Sequence, residues 1–124
     1  FLDQPAIGSY KTEDMANAAA VEKLLVGAYA SLNGQSGMVT VPTLNLMGSI
    51  HGAEAFKGSN AGDQPAMMEF NKFDVGTGNG SVEGFWSFYY DAINRCNLVL
   101  KNLALATDVN ASRATQIAAE AGEI

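Results

Sequence analysis

The chain has 124 residues, 48% hydrophobic and 16% charged, with seven Lys and Arg against thirteen Asp and Glu for a formal net charge of −6. That length suits one domain with its own core, the apolar content is that of a folded chain, and the acidic balance excludes the basic face that nucleic-acid phosphates require. No apolar run approaches the roughly 20 residues that span a bilayer, and Cys96, the single cysteine, permits neither an intramolecular disulfide nor a cysteine-based metal cluster.

Residues 1–10 include Pro5 and Gly8, show no periodicity and predict an extended segment pinned by Phe1, Leu2 and Tyr10. Thr12 then offers an N-cap, with Glu13 and Asp14 in a first turn where the helix dipole favours anions. Met15, Ala18, Val21, Leu25, Ala28, Tyr29 and Leu32 follow at three- and four-residue spacing, which predicts a helix over about 12–33 that Asn33-Gly34 ends. Residues 35–80 are rich in glycine, hold two of the three prolines and lack helical periodicity, so they predict a loop region. Val39-Thr40-Val41 could form a short strand or helical turn within it. Leu44, Leu46, Met47, Met67, Met68, Phe70, Phe73 and Val75 are apolar anchors, so the loop is expected to be ordered against the helices.

Ser81 and Glu83 predict the start of a second helix, over about 81–106. Five of the eleven aromatic residues fall between Phe85 and Tyr90. The stripe Phe85, Phe88/Tyr89, Ala92, Cys96, Val99/Leu100 and Leu103 defines its expected core face. Residues 107–110 make a short connection, with Asp108 or Asn110 capping a third helix over about 110–124. So short a link predicts antiparallel neighbours, with Ala92, Ala114, Ala118 and Ala121 at a close contact. The chain begins at Phe1 without a methionine, and the third helical pattern runs to Ile124 without a breaker. A piece of a longer protein is expected.

Trp86 invites a sugar-stacking role, but its position beside Phe85, Phe88 and Tyr89 on a helix predicts buried aromatic core. Arg95 and Asn97 are expected to cap carbonyls of the long loop, and Cys96 to be inert packing. His51 has no second His or Cys at ligand spacing, so neither a metal nor a cofactor is expected. Ser36, Ser49 and Ser87 lack the context of a nucleophile elbow, and Gly76-Thr77-Gly78-Asn79-Gly80 lacks the Gly-Lys-Ser/Thr ending of a phosphate loop. Glu54, Asp63, Asp74 and Glu83 read as solvated carboxylates rather than a hydrolytic pair. Loop length and polar content instead point to ligand binding by Glu54, Phe56, Lys57, Asn71, Asp74, Thr77 and Asn79, whose amides and carboxylates suit vicinal hydroxyls.

Five short patterns occur in order along the chain: Phe1-Leu2-Asp3 with Pro5; Leu25-Val26-Gly27-Ala28-Tyr29-Ala30-Ser31-Leu32; Ala53-Glu54-Ala55-Phe56-Lys57-Gly58; Trp86, Tyr90, Ile93, Arg95 and Asn97; and Glu120-Ala121. Together they resemble the N-terminal portion of SusD/RagB-family proteins. In the third pattern the family's acidic pair is reduced to Glu54, preceded by His51-Gly52. The resemblance implies a mainly α-helical fold of tetratricopeptide-like helical hairpins with long ordered loops. It further implies a non-enzymatic, cell-surface lipoprotein of the outer membrane, whose lipidated cysteine lies outside this chain. Such a protein captures a nutrient, most often an oligosaccharide, for a TonB-dependent (SusC-like) outer-membrane transporter. A helical protein-interaction module is the alternative, and a glycoside hydrolase using Glu54 or Asp74 is the third reading.

Overall fold

The computed structural model describes residues 12–32, 44–60 and 62–124. Among them the chain is mainly helical and has no strand. A 3-10 turn at Thr12–Met15 precedes α1 (Ala18–Leu32), a π-helical turn occupies Leu44–Ile50, and α2 (Pro65–Lys72), α3 (Gly80–Leu105) and α4 (Ala111–Glu123) follow. The segment around Phe1, Leu2 and Tyr10, the Asn33-Gly34 stop and Val39-Thr40-Val41 lie outside the described residues.

Two helix starts differ from expectation, each because a side-chain amide or carboxylate competes better for orphan N–H groups. Asn17, not Thr12, caps α1: its Oδ1 accepts from the Ala20 N–H at 3.0 Å, and its Nδ2 ties back to the Asp14 carbonyl at 2.9 Å. Asp108 caps the same end, its carboxylate accepting from the Ala18 N–H at 2.8 Å, while Asn110 caps α4 through Ser112 at 2.9 Å. Asn79, not Ser81, caps α3. The expected loop region also contains α2, which Pro65 opens at a position where its missing N–H costs nothing.

The chain divides into two compact units, Phe1–Ala30 with Ala92–Ile124, and Ser31–Asp91, and α3 gives one part to each. In the first unit, Val21, Leu25 and Ala28 of α1, Cys96 and Val99 of α3, and Ile117 and Ala121 of α4 form one buried cluster. Leu24, Leu103, Ala106, Val109 and Ile124 pack against it. Cys96 is buried and its thiol is pushed up by desolvation, as packing rather than reactivity requires. Ala118 is exposed, whereas Ala121 belongs to the buried cluster and Ala114 is half-buried. Arg95 donates to the Gly27 carbonyl of α1 at 3.4 Å, and Asn97 faces solvent. The buried amide of α3 is Asn102, whose Nδ2 donates to the Leu98 carbonyl at 2.8 Å. Ile117 is fully buried, so Ile117→Ala should lower unfolding free energy by about 3 kcal/mol in chemical denaturation.

An ion-pair network braces α1 against α4. Arg113 holds Glu22 bidentately, Nε to Oε1 at 2.6 Å and Nη2 to Oε2 at 2.7 Å, and its Nη1 donates to Glu120 at 2.8 Å. The Tyr29 hydroxyl donates to the other Glu120 oxygen at 3.1 Å. Hydrogen bonding to Arg113 holds the Glu22 carboxyl below its ordinary 4.5. A lowered carboxyl contributes stability above its unfolded value and loses it as pH falls through the folded one. Melting temperature should therefore fall below about pH 4.5, and Arg113→Ala should lower it at neutral pH while flattening this acid limb.

Candidate functional site

The second unit is built around Phe70, which is 2% exposed. The edge of the His51 ring lies 5.9 Å from it between centroids and Phe85 of α3 packs at 6.4 Å, both nearly perpendicular. His51 also lies tilted over Phe73 at 5.2 Å, and its Nδ1 sits 3.4 Å from the Phe70 carbonyl. Phe73 ends α2 in the left-handed region at φ 58°, its N–H reaching the Glu69 and Phe70 carbonyls. Upstream, the Ser49 carbonyl accepts from both the Glu54 and Ala55 N–H groups, at 2.9 and 3.0 Å. Gly52 passes so close to the Gly48 carbonyl that a side chain there would collide with it.

Of the expected ligand set, Glu54 and Phe56 are exposed beyond this tight turn, Phe56 at 84%. Lys57 and Asn71 come together, the Lys57 N–H donating to Asn71 Oδ1 at 3.1 Å. The Lys57 ammonium is turned onto its own loop, 2.6 Å from Ser59 Oγ and 3.0 Å from the Asn60 carbonyl. Asp74 and Thr77 are exposed on the link between α2 and α3.

Asn79 has a different role. It is 4% exposed, and its Nδ2 donates to the Ala66 carbonyl and to Glu69, both at 2.8 Å, while its Oδ1 accepts from Ser81 at 2.9 Å. The amide thus fastens α2 to the start of α3, with nothing left for a ligand. Glu69 also accepts from the Gly76 N–H at 3.0 Å, and these bonds, Asn79 first, hold its carboxyl below 4.5. Asn79→Ala should cost about 2 kcal/mol in denaturant unfolding. Asn79→Asp would keep the cap but set two carboxylates together, so its deficit should shrink as pH falls, opposite to the parent chain.

The residue that departs most from expectation is Trp86. Phe85 and Phe88 turn inward as half-buried residues, whereas Trp86 is 65% exposed. Its ring lies 4.5 Å from that of Tyr90, tilted by 36°, and Tyr90 is itself 52% exposed. Val82, Trp86 and Tyr90 follow at four-residue spacing on one face, with exposed Tyr89 alongside and Glu83 and Ser87 at its edge. This arrangement offers a broad apolar ring surface bordered by hydrogen-bonding groups.

In the first unit a cavity of about 350 Å³ lies beside the start of α1, lined by Met15, Asn17, Ala20, Lys23 and Leu24 among others, and none of the expected ligand residues lines it. Among the described residues no helix is long and apolar enough to cross a membrane, and no group of three or more His, Cys, Asp or Glu is placed to hold a metal. Comparisons with protein-family models, curated proteins and solved structures returned no match.

Proposed function

We infer that this chain is the N-terminal portion of a SusD/RagB-like protein that binds an oligosaccharide without transforming it. The observation that carries this reading is the exposed Trp86–Tyr90 pair. Exposing two adjoining rings forfeits burial energy, and a pyranose can recover it by laying an axial C–H face on them. Glu83 and Ser87 at the edge of the rings suit ring hydroxyls, and the exposed loop residues Glu54, Phe56, Asp74 and Thr77 remain further contacts. Lys57 and Asn71 act by holding their loop together, and Asn79 leaves the proposed set as a structural tether.

By the same resemblance the protein works at the outer-membrane surface, anchored by a lipidated cysteine outside this chain, and passes its ligand to a TonB-dependent transporter. The helical pair α3–α4, joined through residues 106–110, suits a tetratricopeptide-like hairpin. Capture for handover calls for a shallow, quickly released contact, and an exposed helix face provides one. The same apolar face also suits a protein partner, so an interaction module is the second reading.

A glycan array probed with this chain should give oligosaccharide hits, and Trp86→Ala should weaken them about tenfold. An array without hits, together with recovery of a soluble protein partner, would favour the interaction module.

A further inference from the structure

The aromatic face lies in the more acidic part of the molecule. Residues 31–91 carry six carboxylates against two lysines, a net −4 of the chain's −6. One of those lysines, Lys57, has its ammonium bonded to Ser59 and Asn60. Between Gly80 and Asp91, α3 contains Glu83 and Asp91 and neither Lys nor Arg. Glu83 is exposed, three residues before Trp86 and seven before Tyr90, a spacing that places it on the helix surface beside both rings. Ser87, also exposed, lies along the same edge.

Two kinds of attraction converge on such a face. The negative face of an indole or phenol ring attracts a cation, and a neighbouring carboxylate pairs with it. The surrounding negative field raises the local concentration of cations and repels anions. A neutral sugar gains the stacking contact and hydroxyl bonds but no charge pairing, and a uronate or sulfated sugar is opposed by the field. Building on the carbohydrate reading above, we propose that the preferred ligand is an amine-bearing sugar of glucosamine type. Its C–H face lies on Trp86 and Tyr90, and its ammonium is directed to Glu83.

Trp86 is the sole tryptophan, so its fluorescence reports this face directly. The full chain would be titrated at low salt and about pH 5.5, where exposed carboxylates are ionised, with glucosamine, N-acetylglucosamine and galacturonate oligomers of equal length. The glucosamine oligomer should bind about fivefold more tightly than its acetylated form, with the galacturonate oligomer weakest. In Glu83→Gln that preference for the amine over the acetylated form should vanish. Equal affinity for the amine and acetylated forms, a preference that survives Glu83→Gln, or strongest binding of galacturonate would overturn the proposal and leave the carbohydrate reading standing. Oligolysine competing as well as the amino sugar would also overturn it, since charge alone would then explain binding. No response to any sugar would remove the carbohydrate reading and this proposal with it.

Discussion

The rest of the structure depends on how α3 divides its side chains. This helix is apolar on more than one face, and only one can turn inward at any level. In the first unit the buried face is set by Cys96 and Val99, which meet Val21, Leu25, Ala28, Ile117 and Ala121. In the second unit Phe85 and Phe88 turn inward, and Phe85 is the ring that meets Phe70. Helical geometry turns Trp86 and Tyr90 away from Phe85, and both remain exposed to solvent. The exposed aromatic pair therefore follows from burying its neighbours.

Polar contacts hold the second unit in register around that helix. Asn79 stands where α3 begins and bonds both a backbone carbonyl of α2 and the Glu69 carboxylate. It fixes the short link that carries Asp74 and Thr77 as well as the cap from which Trp86 is positioned two turns on. In the first unit the Arg113 fork on Glu22 is a surface brace over an already apolar contact. Exposed pairs of that kind contribute modestly, so the buried cluster remains the main source of cohesion there.

Much of the helical architecture was legible in the residues. Three- and four-residue spacing identified α1, α3 and α4, and selected Val21, Leu25, Cys96 and Val99 for the core, because each is part of a long periodic run. Short elements were harder. α2 spans only Pro65–Lys72, too few turns for a period to stand out among neighbouring glycines. Cap residues were misplaced where several Asn, Asp and Ser compete for the same N–H groups: Asp108 serves a helix ninety residues away from it in sequence, a contact that no local pattern contains.

The candidate site was the least legible part. Loop polarity drew attention to Asn79, yet amides that suit sugar hydroxyls suit backbone groups equally well, and here the backbone claims this one. Aromatic density suggested core at Trp86, because hydrophobicity alone cannot say which side of an aromatic helix is wet. The polar border at Glu83 and Ser87 was the available signal. The central claim, that Trp86 faces solvent while Phe85 and Phe88 turn inward, is tested most directly by the emission and acrylamide quenching of this single tryptophan. Emission close to that of free tryptophan, with nearly unhindered quenching, is the predicted result; blue-shifted emission resistant to acrylamide would contradict it.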